Sequence, residues 1–157
     1  MQADITGMPK VRPVCVDDLS SLLALFRVSE VSAAALPLSR AERIWEQMLL
    51  REGLTVFVCE AESKIVSTCM LITAPNLLRF GRHAFLENVV THPDFRGRGL
   101  GRAVVLAALA AAWEQDCHRV FLQSGRADPR VHRFYEGCGF EPGLRTAYVA
   151  KRPKIMG

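Results

Sequence analysis

What this chain lacks narrows it first. No apolar run of membrane-spanning length is free of charge; the longest, around Val104 to Trp113, is rich in Ala and reads as part of a helix. The amino terminus carries Asp4 with early Gly and Pro instead of a basic flank and an apolar core, so no signal peptide is read there. Five cysteines (Cys15, Cys59, Cys69, Cys117, Cys138) are scattered, odd in number and without a C-x-x-C pair. That pattern argues against structural zinc and a disulfide framework, and predicts reduced thiols in a cytoplasmic protein. His83 and His92 lack spaced partners, so no metal is assigned. Net charge is +4 with a pI near 9.0, yet there is no run of five like charges and no basic helix face interleaved with aromatics. Charge alone does not make a nucleic-acid binder, and neither nucleic acid nor membrane is expected as a partner.

What is present suits one globular domain. The 157 residues are half hydrophobic and 23% charged. Val11 to Val16 reads as a strand. Asp17 is placed to cap a helix carrying Leu19, Leu22, Leu23 and Phe26 on one side. Val28 to Leu38 reads as a loop or short helical turn. Ser39 to Glu42 has the spacing of a capping box, before a helix with Ile44, Trp45, Met48 and Leu49 inward and an end near Gly53. Leu54 to Glu60 and Lys64 to Thr73 are β-type runs with a short link, hence a hairpin; Pro75 and Asn76 are expected to break the second. Phe85 to Val90 is the central strand. Leu100 to Trp113 is apolar nearly all round and predicts a helix covered on most of its surface. Arg119 to Gln123 is the next strand, making a right-handed β-α-β unit. Asp128 and Pro129 start a last helix. From Phe140 a final pair of strands is expected, with Leu144 to Ala150 the last.

The chain is organised around Glu87 to Arg102. Pro93 and Asp94 end the central strand. Gly97, Gly99 and Gly101 then alternate with Arg98 and Leu100, between Arg96 and Arg102, and the long helix follows at once. A glycine-rich turn opening a helix presents backbone N–H groups at the positive end of the helix dipole, a site for phosphate. The three arginines add charge of the same sign. The loop has no lysine, which sets aside a Walker A NTPase. Its Gly-x-Gly-x-Gly spacing in mid-chain is not the dinucleotide fingerprint either.

At this point the residues resemble a known family. Arg96-x-x-Gly99-x-Gly101 is similar to the Arg/Gln-x-x-Gly-x-Gly/Ala signature of the GNAT superfamily of acyl-CoA-dependent N-acyltransferases. His132 to Phe140 resembles its second motif, F-Y-x-x-x-G-F. The resemblance covers about Phe85 to Phe140 and is only topological before that. Locally, Glu87 to Val90 with Tyr135 to Phe140 look like glucosamine-6-phosphate N-acetyltransferases. The resemblance implies an α/β (α+β) GNAT fold: one domain over 1–157, loose at 1–10. Its mixed, mostly antiparallel sheet would have six to seven strands, a splayed parallel pair and about four helices. It also implies acetyl-CoA as cosubstrate. Val89, Val90 and Thr91 would contact its pantetheine through the backbone. Arg96, Gly97, Arg98, Gly99, Leu100, Gly101 and Arg102 would hold its diphosphate. Ser124 would bond the pantetheine, and Asp128 stands where relatives carry an asparagine that touches CoA, although an N-cap role is enough for it.

The expected reaction moves an acetyl group to a primary amine by direct attack in a ternary complex. Glu87, half-buried on its strand, is the candidate base or amine anchor; the alternative is a salt bridge to a nearby arginine. Tyr135, protonated at neutral pH, is the candidate acid for the leaving thiolate; the alternative is a core aromatic. The N–H of Val90 or Val89 is the oxyanion donor. Cys138 lacks a base at suitable spacing for a ping-pong route. Arg79, Arg82 and Arg145 could meet an anionic small-molecule acceptor. A protein amine and a non-catalytic acyl-CoA-binding module are the competing readings. A homodimer is the assembly to test.

Overall fold

The structure, a computed structural model, describes residues 9–31 and 37–153. The expected loose terminus therefore lies outside the described residues except for Pro9 and Lys10, as does the middle of the expected 28–38 loop. The chain forms two compact units, Met1–Leu122 and Gln123–Gly157.

The first unit holds the sheet. β1 (Lys10–Pro13), β2 (Leu54–Ala61), β3 (Lys64–Asn76), β4 (Gly81–Thr91) and β5 (Cys117–Leu122) pair in chain order. Pairing is antiparallel as far as β4, and β4 and β5 run parallel. The helices are α1 (Leu19–Val28), α2 (Leu38–Leu50) and α3 (Leu100–Glu114), with α4 (Pro129–Gly137) in the second unit. The mixed sheet, the hairpin and the parallel β-α-β unit are as the sequence predicts. The strand count is not. Among the described residues there are five strands, where six to seven were expected. Residues 140–153 carry β-type side chains but no ladder partner, and 141–153 are exposed throughout. Nor does Pro75 break its strand. Past Ile72, β3 has a strand neighbour on one side only, and edge positions tolerate proline.

Side-chain alternation builds two cores, one on each face of the sheet. Cys59, Cys69, Leu71, Ala84 and Leu86 are buried on the face taken by α3, where the Cys69 thiol donates to the Val104 carbonyl at 3.3 Å. Burial pushes that thiol up to about 12. On the opposite face Val56, Val58 and Val90 pack with Leu22, Leu25 and Trp45 of α1 and α2. Each fully buried aliphatic contributes about 2 kcal/mol. Coverage of α3 is one-sided. Leu100, Val104, Val105, Ala108 and Ala112 are buried, but Leu106 and Trp113 are exposed. Its alanines make the uncovered side inexpensive to hydrate. On α2, Trp45 is buried and its indole N–H donates to the Val16 carbonyl at 3.0 Å, while Ile44 and Leu49 stay exposed.

Both expected caps in this half are replaced. α2 begins at Leu38, so Ser39 lies inside it, and the Pro37 carbonyl accepts from the Arg40 and Ala41 N–H groups instead. A short 3₁₀ turn, Val16–Asp18, precedes α1, and Asp18 rather than Asp17 occupies the junction. The Asp18 carboxylate accepts from Arg12 Nη1 at 2.7 Å and Nη2 at 3.0 Å, and from the Cys15 N–H at 2.7 Å. Arg12 Nε donates to Glu60 Oε1 at 2.7 Å, so one guanidinium ties β1, β2 and the start of α1 together. Charged partners outcompete a neutral N-cap bond.

The Arg12 guanidinium holds the Asp18 carboxyl down at about 2, from an ordinary 3.8. A depressed acid stabilises the fold above its unfolded value and ceases to do so as pH falls through its folded value. Asp18→Asn is therefore expected to lose about 2 kcal/mol at neutral pH. Urea titrations between pH 6 and pH 2 should show the wild type losing that advantage below pH 4, with the variant's curve flatter.

Candidate active site

β4 contains a defect that shapes its end. Met70 faces Glu87 and Thr68 faces Val90, so Cys69 alone opposes Asn88 and Val89. This is a β-bulge, and Asn88 takes the left-handed conformation it needs, at φ 53°. One added residue reverses the alternation beyond it. Val90 thereby joins the α1–α2 core on the same face as Glu87. The parallel pairing with β5 ends at Leu86 and Leu122. From Glu87 to Thr91, β4 has no strand on that side among the described residues.

The edge leads straight into the glycine loop. His92 caps a short 3₁₀ turn at Pro93–Phe95, its Nδ1 accepting from the Asp94 N–H at 3.2 Å. Phe95 is buried and anchors the turn. Gly97 and Gly99 have φ of 75° and 77°, and a Cβ on either would meet nothing within 4 Å. Glycine is required there by conformation, not by space. Gly99 is the N-cap of α3, with no side-chain cap and no acid in the first turn. The N–H groups of Leu100 and Gly101 therefore stand outside the helix ladder, at its positive end.

The arginines divide between bracing and display. Arg96 Nε donates to the Thr91 carbonyl at 3.3 Å. Arg98 donates to the Asp94 carbonyl at 3.2 Å, sits 4.8 Å over the Phe95 ring and reaches Glu62 at 3.8 Å. Arg102 is exposed on the first turn of α3. All three lie within the segment that leads into and opens the helix.

Ser67 is a residue the sequence reading missed. It is fully buried on β3, and its hydroxyl donates to the Val90 carbonyl at 3.1 Å while lying 2.9 Å from Thr91 Oγ1. A buried hydroxyl aimed at the residues after the bulge holds that backbone in place. No signal marks Ser67 in the sequence. The bulge does leave one, since Glu87 and Asn88 put two polar residues in succession where alternation demands one.

Glu87 is exposed instead of half-buried, and among the described residues no hydrogen bond or ion pair engages its carboxylate. The salt-bridge alternative is thus not what the structure shows. Val89 is half-buried beside it and Val90 is buried. Arg79 is exposed. Arg82 is on the α3 face of β4, its Nη2 donating to Thr73 Oγ1 at 3.1 Å, away from the Glu87 face. In the second unit, Asp128 is the N-cap of α4, accepting from the Arg130 N–H at 2.9 Å, and the Arg130 side chain holds its carboxyl below the usual range. Ser124 Oγ accepts from the Arg126 N–H at 3.4 Å. Tyr135 is half-buried on α4, edge-on to Phe134 and Phe140 with centroids at 5.0 and 6.1 Å. Cys138 is buried, and Arg145 is exposed on a segment that forms no strand.

The model of the acetyltransferase (GNAT) family matches residues 19–140. The chain belongs to the GNAT acetyltransferase family. It is 40% identical to a solved putative acetyltransferase from Agrobacterium tumefaciens, covering 91% of this chain and 99% of that one, with a TM-score of 0.85. A glucosamine 6-phosphate N-acetyltransferase from Trypanosoma brucei brucei is 34% identical over 86 residues, 54% of this chain and 56% of the relative. An aminoglycoside N(6')-acetyltransferase from Stenotrophomonas maltophilia is 24% identical over 110 residues, 68% of this chain and 72% of the relative. The match to the trypanosome enzyme thus spans little more than half of that relative's length.

The left-handed turn of this GNAT chain is testable without a ligand. Gly99→Ala is expected to cost about 1 kcal/mol in urea-monitored stability, from conformation alone. An alanine variant as stable as wild type would show that residue 99 does not hold a positive φ.

Proposed function

We propose that this chain is an acetyl-CoA-dependent N-acetyltransferase that transfers an acetyl group to a primary amine of a small molecule by direct attack in a ternary complex. One observation carries the reading. Among the described residues β4 has no strand on its β5 side from Glu87 to Thr91, and the turn Pro93–Phe95 leads from there to the amide-lined start of α3. An edge of unpaired backbone suits the amides of a pantetheine arm, and the helix start suits the diphosphate behind it. The relatives named for glucosamine 6-phosphate and for aminoglycosides support a small amine over a protein one. A non-catalytic module is the reading to take if Glu87 and Tyr135 both face the core; Glu87 is exposed, which supports the catalytic reading.

The chain's residues then take these parts. Glu87 meets the ammonium and, through water, takes its proton, so that the nitrogen lone pair can attack the thioester carbon. The N–H of Val90 or Val89, on the backbone that Ser67 steadies, stabilises the charge building on the thioester oxygen. The C–S bond breaks as the amide forms; by the family motif Tyr135 gives its phenolic proton to the departing thiolate, and the second proton that the nitrogen must lose passes through water to restore the phenol. Gly97 to Arg102 keep the diphosphate in register.

Glu87→Gln is expected to lower kcat by ~100-fold or more in a thiol-release assay with acetyl-CoA, while the rise in Tm on adding CoA is unchanged. Absence of any Tm rise at saturating CoA would sink the assignment.

A further inference from the structure

The sheet face that carries Glu87 is not fully roofed by α1 and α2. Alternation puts His83, Phe85 and Glu87 on it together. Phe85 pairs in register with Phe121 of β5, and the two rings stack with centroids 5.5 Å apart. Phe85 is still 37% exposed, so this ring pair is a half-open platform. At its far end the His83 ring is edge-on to Phe85 at 5.3 Å, and the Arg119 guanidinium lies 5.8 Å from the Phe121 ring. Arg119 has no ion-pair partner among the described residues. The Asn76 side-chain amide donates to His83 Nδ1 at 2.8 Å, which leaves Nε2 as that ring's N–H donor. Along about 13 Å of strand the face therefore presents, in order, a carboxylate, a pair of apolar rings, and donors of positive character.

We propose that this face is the acceptor subsite, and that it selects an amine built in the complementary order: ammonium at Glu87, an apolar ring face on Phe85 and Phe121, and a carboxylate or phosphate at Arg119 and His83. The assignment rests on the acetyltransferase reading above. A ring laid on Phe85 covers the exposed part of the platform and meets the negative face of its π-system with C–H edges. A guanidinium without a carboxylate partner on the protein is complementary to an anion on the ligand. Arg82 cannot serve, because it is held on the opposite face by Thr73. Phe85, Phe121 and Arg119 thus become the residues that set specificity, and Arg119 replaces Arg82 as the anion contact.

Five amines test this in steady-state assays with acetyl-CoA. Glucosamine 6-phosphate and 4-(aminomethyl)benzoate carry ring and anion; glucosamine and benzylamine lack the anion; 6-aminohexyl phosphate lacks the ring. Wild type should favour one or both of the first pair over its matched amines by at least ~10-fold in kcat/KM, the value of one charge-assisted contact. Which of the two is favoured distinguishes a sugar from an aryl ring. Arg119→Gln should erase the advantage of the anion, and Phe85→Leu that of the ring, with the CoA-induced Tm rise intact in both. Equal use of all five amines by wild type, or equal loss on all five in both variants, overturns the subsite while acetyl transfer stands. No CoA-induced Tm rise and no thiol release with any amine overturns both readings together.

Discussion

The single extra residue in β4 is the constraint on which the site depends. A strand that stayed in register would have kept Val90 on the α3 face. The bulge at Asn88 and Val89 turns Val90 into the α1–α2 core, where its side chain pins the end of the strand. Among the described residues the backbone just before it has no strand on the β5 side. Asn88 makes this tolerable, because a short polar side chain adopts a left-handed backbone at low cost. Ser67 completes it, satisfying the Val90 carbonyl from below with a hydroxyl no solvent reaches.

Charge is used in two distinct ways across the molecule. Arg12, Asp18 and Glu60 form a part-buried network whose members satisfy one another, and its role is to join β1, β2 and α1. Around Gly97 to Arg102 the arginines reach mainly for backbone carbonyls, Arg96 on Thr91 and Arg98 on Asp94. Carbonyls orient a guanidinium without neutralising it. Arg98 also reaches Glu62 at 3.8 Å, an exposed pair that compensates it only weakly.

Much of this was legible in the chain itself. The hairpin, the β-α-β unit, the glycine loop opening α3, and the Asp128–Pro129 start of α4 follow from period and turn chemistry. The failures have physical causes. Asp18 was missed as the junction residue because its partner, Arg12, comes from a strand, and local capping rules see only neighbours in sequence. Leu144 to Ala150 was read as a strand from composition, but a strand exists only through a ladder, and composition does not supply one. Glu87 was expected to be half-buried because its neighbours are apolar, yet burial of a strand residue is decided by what lies over its face. Arg82 was grouped with the acceptor contacts by proximity in sequence; the structure shows it on the face opposite Glu87, donating to Thr73.

Val90 is shared by two regions, the α1–α2 core and the end of β4 that leads to the glycine loop. Its side chain belongs to the same buried cluster as Leu22 and Leu25, and His92, the cap of the next turn, follows two residues later. A substitution that repacks Leu22 or Leu25 therefore bears on the strand end from which the glycine loop departs, so the helical layer and the turn are mechanically coupled through one valine.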